Sequence, residues 1–171
     1  MAAMLATDEE LRTLIVTQLE LVDTAEFEKA QQMAVRLKIP LERALAERGR
    51  IPLAFLLAQL AQAWDVGFIE LKVGDVQLAA LQTVREEYAR SHGVVPFECQ
   101  DRTLKVAMTN PRDRLIIREM AQMTKYEVVP YLAPEGNIRR AQLLYKGNLR
   151  DMLERSALRA STAITPPAKA G

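Results

Sequence analysis

The sequence predicts an α+β chain: N-terminal helical hairpins, then a small three-stranded sheet packed with helices in the order β-β-α-β-α. Three observations carry this. Apolar residues recur at helical spacing through residues 1–67, punctuated by lone prolines and a glycine. After Gly67 short β-branched runs flank a polar turn. The helical portion also repeats itself at an offset of 29 residues, with Val16 matching Leu45, Glu20 Gly49, Val22 Ile51, Phe27 Leu56 and Ala34 Ala63. Two copies of one helix-turn-helix unit explain that offset by packing alone.

Thr7-Asp8-Glu9-Glu10 is a capping-box signature, because Glu10 stands three residues after Thr7. Leu11, Leu14, Ile15 and Leu19 follow on one helical face. Asp23-Thr24 opens a second helix bearing Phe27, Ala30, Met33 and Ala34. Pro40 is placed as the first residue of a short third helix with Leu41, Ala44 and Leu45, ended by Gly49. Pro52 starts a fourth running through Phe55, Leu56, Leu60 and Trp64. Phe68-Ile69-Glu70-Leu71 reads as a short strand or an extended connector, and Asp75 to Ser91 as one helix or two. Val94 to Cys99, the turn Gln100-Asp101-Arg102 and Thr103 to Met108 form a β-hairpin, with Pro96 putting its first strand at an edge. Residues 112–124 are helical with Leu115, Ile116 and Met120 inward, Tyr126 to Leu132 is a third strand, and Pro134 to Tyr145 is helical again. The expected organisation is 1–67 helical, 68–150 α/β, and 151–171 a helix end running into a small, Pro-bearing tether.

Composition narrows the function classes. The 171 residues hold 23 Lys+Arg and 22 Asp+Glu with 49% hydrophobic residues, enough apolar matter for a core. One cysteine excludes an internal disulfide framework. No apolar run approaches the ~18 residues of a membrane span, and Met1 to Asp8 lacks a signal peptide's basic-then-apolar order. The reading is a soluble, cytoplasmic protein without direct membrane insertion. Charge is uneven, since residues 1–70 carry 7 basic and 11 acidic side chains and the remainder 16 and 11. Residues 139–171 hold seven of the basic ones, read as a solvated helix face; sparse aromatics argue against nucleic acid.

Catalytic chemistry finds no support. There is no phosphate-binding Gly-x-x-x-x-Gly-Lys-[Ser/Thr] loop. His92 is the lone imidazole, placed at a helix C-terminus before Gly93, and Cys99 is the lone thiol, expected on the Val95 and Phe97 face as a small buried hydrophobe. A zinc site lacks its ligands. Asn110-Pro111-Arg112-Asp113 is read as a plain strand-to-helix turn. Catalytic and metal-ligating residues are therefore expected to be none.

A set of segments in this order nonetheless has a family likeness: Leu45-Ala46-Glu47-Arg48-Gly49-Arg50-Ile51, Phe68-Ile69-Glu70-Leu71, Val95-Pro96, Leu104 to Asp113, Val128-Val129-Pro130 and Ile138-Arg139-Arg140-Ala141 to Tyr145. It resembles the N-terminal domain of the type II secretion and type IV pilus assembly ATPases, the general secretory pathway protein E family, from about residue 10 to 150. The resemblance implies a non-catalytic adaptor that docks a motor onto the cytoplasmic domain of an inner-membrane platform protein. It also implies that the chain is a piece of a larger ATPase or a free-standing relative.

Some members of that family bind cyclic di-GMP through tandem motifs beginning Arg-Leu-Gly, with a later glycine, at the 29-residue spacing found here. Here the Arg-Leu-Gly positions are Leu11-Arg12-Thr13 and Pro40-Leu41-Glu42, and the later glycine is Glu20 in the first copy and Gly49 in the second. Losing the small residues removes close backbone approach to a ligand, and Glu20 and Glu42 add repulsion toward phosphate. Arg12, Arg36 and Arg43, with Leu41 and Gly49, are the candidate nucleotide contacts. No cofactor is expected on the adaptor reading; cyclic di-GMP is the alternative. An adaptor's apolar patch would come from whichever of Leu14, Leu53, Phe55, Leu57 and Trp64 are exposed.

Overall fold

The computed structural model describes residues 7–147 and Leu158. The tether expected over 151–171, with Arg155, Arg159 and Lys169, lies otherwise outside the described residues, as does Arg150.

The capping box forms as spelled, with the Glu10 N–H donating to Thr7 Oγ1 at 3.2 Å and the Thr7 N–H donating to Glu10 Oε2 at 3.1 Å. It starts α1 (Asp8–Arg12). The expected α-helix then widens into a π-helical segment over Thr13–Gln18, closed by the Leu19 N–H on the Leu14 carbonyl. Next come α2 (Thr24–Leu37), α3 (Leu41–Gly49) and α4 (Leu53–Ala63). Pro40 stands one residue before α3 rather than inside it: its ψ of 145° is extended, and its carbonyl accepts the Arg43 and Ala44 N–H groups. Helices α2 and α4 both start at the same place in the 29-residue repeat, and the repeat-related Phe27 and Leu56 are both fully buried. At that pair the repeat serves packing.

Strand β1 (Gly67–Phe68) is a fourth strand beyond the three expected. Its two residues settle the open choice at 68–71: strand at the start, then connector. A 3₁₀ turn (Val73–Asp75) and two helices, α5 (Leu78–Leu81) and α6 (Glu86–His92), occupy the stretch read as one helix or two. Then follow β2 (Val94–Gln100), β3 (Thr103–Met108), α7 (Arg114–Thr124), β4 (Glu127–Leu132), α8 (Glu135–Gln142) and a 3₁₀ turn at Leu143–Tyr145. The sheet order is β1-β4-β3-β2, with β2 antiparallel to β3 and the other pairs parallel. Pro96 is on an edge strand as expected, and the Gln77 N–H and side chain cover that edge at Phe97 and Cys99.

Three buried clusters hold the chain together. The helical hairpins share one core around Phe27, Leu45, Leu56 and Leu60, which also takes in Leu132 of β4 and Phe68 of β1. One sheet face packs Val95, Phe97 and Ala107 against Ile138 and Ala141 of α8. The other packs Val94, Leu104 and Val106 against Ala89 of α6 and Ile116 and Met120 of α7.

Two sequence expectations fail here for physical reasons. A β-bulge between Pro96 and Glu98 shifts the register, so Cys99 pairs with Leu104 and packs on the opposite face from Val95 and Phe97. It is half-buried rather than fully buried. Leu115 is 65% exposed because it sits beside, not on, the buried Ile116–Met120 stripe of α7.

Candidate functional site

Parallel strands present their C-terminal ends together, and in open sheets that end is where loops build sites. Here β3 runs into Thr109-Asn110-Pro111-Arg112-Asp113 and β4 into Ala133-Pro134, both on the side of the helical hairpins. The β3 loop is set by its own side chains. Asn110 Oδ1 accepts the Arg112 N–H at 3.1 Å, and Asp113 caps α7 by accepting the Leu115 and Ile116 N–H groups at 3.2 Å each.

Two crevices form where this loop end meets the helices, one for each copy of the repeat. The first, about 330 Å³, is lined by Glu10, Thr13, Leu14, Trp64 and Arg112. Arg112 closes it by donating from both terminal nitrogens to the Glu10 carboxylate at 3.2 and 3.3 Å, with its guanidinium 5.2 Å from the Trp64 ring centre. The bonds to Arg112 hold the Glu10 carboxyl below its ordinary value, helped by the Thr7 N–H. The second crevice, about 390 Å³, is lined by Glu42, Arg43, Leu53, Leu57, Thr109 and Asn137, with prolines 40 and 134 at its sides. Burial pushes the Glu42 carboxyl up, and the Glu135 charge pushes the same way. Thr13-Leu14 and Glu42-Arg43 are repeat equivalents, so each copy offers the same two positions to its crevice.

The five candidate contacts do not converge. Arg12 pairs with Glu28 at 3.3 Å across α1 and α2. Arg36 is exposed near the end of α2, and Leu41 is half-buried against the helical core. Arg43 reaches the second crevice and bonds Glu47 at 3.3 Å. Gly49 is small for a packing reason: a Cβ there would stand 3.0 Å from Ile51 Cδ1 and 3.1 Å from Val22 Cγ1. Its repeat equivalent Glu20 ends the first unit at φ 49°, left-handed backbone a glycine would adopt more readily. Nothing in the sequence announces that Trp64, Arg112 and Glu10 meet, since 102 residues separate Glu10 from Arg112. Among the described residues no three His, Cys, Asp or Glu side chains gather as a metal site, and no helix is long and apolar enough to cross a membrane.

Of the proposed patch residues, Leu14 and Leu57 are buried, Leu53 and Trp64 are half-buried, and Phe55 is 47% exposed. Larger exposures lie outside that set, at Val35 (81%) and Leu37 on α2.

Residues 64–151 match the MshEN domain family. The chain belongs to this family. The MshEN domain is an N-terminal domain of type II secretion and type IV pilus ATPases. The sequence is 29% identical over 121 residues to the type IV pilus assembly ATPase PilB of Myxococcus xanthus, covering 71% of this chain and 21% of PilB. It thus spans about a fifth of that relative's length. Among solved structures the fold resembles MshE with cdg at 21% identity and a TM-score of 0.62, covering 82% of this chain and 99% of that one. It also resembles the N-terminal domain of XpsE at 13% identity and a TM-score of 0.51, covering 80% and 94%. The MshEN match corresponds to the N-terminal part of such ATPases, not their catalytic core.

Proposed function

We propose that this MshEN domain is a non-catalytic adaptor that joins a secretion- or pilus-type motor to its machine through protein–protein contact. The partner that the family likeness suggests is the cytoplasmic domain of an inner-membrane platform protein, which would place this chain on the cytoplasmic side. The observation supporting docking is the apolar surface left uncovered on the helical hairpins: Val35 and Leu37 at the end of α2 and Phe55 in the first turn of α4. These side chains contribute nothing to the core by remaining in water, and a partner surface would remove them from it. Replacing Phe55 with Asp, or Val35 with Asp, tests this. Both variants keep the circular-dichroism spectrum and lose association with the purified platform domain in sedimentation velocity. Undiminished association of both sinks the proposal.

A second reading is a cyclic di-GMP sensor, favoured by the likeness to MshE, which was solved with cdg. On that reading the two repeat-related crevices are the halves of the ligand site, with Arg43 and Leu41 on the second copy and Arg12, Arg36 and Gly49 as supporting positions. The charges favour the adaptor. Glu10 and Glu42 stand in the crevices, Arg12 is tied to Glu28, and Arg112 is tied to Glu10. A ligand with two phosphodiesters would have to break those pairs and face two carboxyls.

A further inference from the structure

The basic residues late in the chain find a structural use that docking does not absorb. Two adjoining hollows, of about 260 and 530 Å³, share Arg90, Arg139 and Gln142 in their walls and so form one groove between α6 and α8. It begins at the β3–α7 loop, where Thr109 and Asn110 line it, and ends at Arg140 and Leu143. Its floor is fixed. The buried Gln142 side chain donates from Nε2 to the Ala89 carbonyl at 2.7 Å and the Val94 carbonyl at 3.3 Å, pinning α8 to the end of α6 and the start of β2.

Three arginines and one histidine line this groove: Arg90 and Arg139 in both hollows, His92 in the first and Arg140 in the second. Arg90 bonds Glu86 at 2.7 Å and also donates to the Gln142 carbonyl at 3.4 Å, and Arg139 is paired with Glu135; both ion pairs lie one helical turn apart. Such pairs are weak and exchange readily for a stronger acceptor. Arg140 is held by neutral oxygens only, its Nε on the Gly136 carbonyl and its Nη2 on Asn137 Oδ1 at 2.9 Å, so its charge has no carboxylate partner among the described residues. His92 packs against Tyr88 with ring centres 4.3 Å apart and planes tilted by 43°, and also lacks a carboxylate partner among the described residues. Of the acids in the lining, Asp113 is already committed to capping α7 and Glu135 to Arg139.

We propose that the α6–α8 groove binds the phosphate group of a small soluble phosphomonoester or diphosphate. Planar guanidinium forks suit tetrahedral oxyanions, and Arg90 of α6 with Arg139 and Arg140 of α8 line one hollow between the two helices. Thr109 and Asn110 supply neutral polar groups at the other end. The site uses none of the repeat positions; Thr109 and Glu135 line both this groove and the second crevice, but Arg139 and Arg140 line only the groove, so their variants separate it from the cyclic-dinucleotide reading.

Inorganic pyrophosphate is the probe. Titrated into the whole chain at matched ionic strength with chloride as the reference, it is expected to bind saturably in the sub-millimolar range. In amide NMR spectra the shifts should cluster at Arg90 to Gly93 and Arg139 to Leu143. The variant Arg139→Gln with Arg140→Gln should weaken binding by about tenfold or more, and Arg140→Lys, which keeps the charge but loses the fork, by a few-fold. Arg102→Gln, in the exposed turn between β2 and β3, should bind like the wild type. Absence of saturable binding at about 10 mM overturns the proposal. So does binding that survives both Arg140 variants with unchanged affinity.

Discussion

Adding one methyl group at Gly67 tests how the helical hairpins are joined to the sheet. Gly67 pairs with Tyr131 across the parallel β1–β4 ladder, and an ideal Cβ on it would lie 2.4 Å from both Cδ1 and Cε1 of the Tyr131 ring. Ordinary carbon contacts begin about 1 Å farther out, so the ring has to retreat by roughly that distance. Its retreat disturbs the edge-to-face contact with Phe97, whose ring centre is 5.4 Å away. Overpacking of this kind costs about 1–3 kcal/mol, including about 0.5–1.5 kcal/mol for the aromatic pair. For a chain of this size a loss of about 2 kcal/mol lowers Tm by about 4–8 °C. Without the ring the sign reverses, because Ala restricts the unfolded chain more than Gly and stabilises by about 0.4–1 kcal/mol. The assay is therefore a double-mutant cycle by thermal and urea unfolding with Gly67→Ala, Tyr131→Leu and the double variant. Gly67→Ala should destabilise alone and be neutral or stabilising beside Tyr131→Leu, giving a coupling of about 2–3 kcal/mol. An equal cost in both backgrounds refutes the steric argument, and a harmless Gly67→Ala alone refutes it too.

Further predictions concern caps and charges. Lys38, Arg50 and Lys125 close α2, α3 and α7 in left-handed backbone at φ 53°, 52° and 62°, so glycine at each should stabilise by about 0.5–1 kcal/mol; an unchanged or lower Tm contradicts this. Asp113→Ala removes the acceptor for two α7 N–H groups and should cost about 1 kcal/mol in urea unfolding. Glu42, raised by burial and by Glu135, opposes folding once ionised, so Glu42→Gln should be more stable than wild type at pH 7 and lose that advantage as pH falls below 4.5. Glu10, lowered chiefly by Arg112, has the opposite sign. Glu10→Gln should be less stable at pH 7, and the difference should vanish in acid as the wild-type carboxyl protonates. A Glu42→Gln variant no more stable than wild type at pH 7 contradicts the first assignment, and a Glu10→Gln variant no less stable contradicts the second.

Local signals were the ones the sequence displayed. The capping box at Thr7, the hairpin from Val94 to Met108 and the edge position of Pro96 rest on neighbours in the chain, and they form as read. What the sequence hid depends on distant partners. Strand β1 is two residues long and has no alternation to read; only β4 makes it a strand. The bulge after Pro96 turns Cys99 to the other face, and no residue type announces it. At the candidate sites the repeat pointed to Arg43, which does line a crevice, but also to Gly49, whose size answers to Val22 and Ile51 instead. The Glu10–Arg112–Trp64 contact and the Arg90–Arg139–Arg140 groove arise only once helices far apart in sequence are packed.

Isothermal titration of the whole chain with cyclic di-GMP bears most directly on the adaptor claim. With Glu10 and Glu42 in the crevices and Arg112 already paired, the account predicts no saturable heat up to about 1 mM ligand and no shift in Tm. Saturable binding at micromolar affinity, lost on Arg43→Ala, would contradict it and make the two repeat-related crevices a nucleotide site.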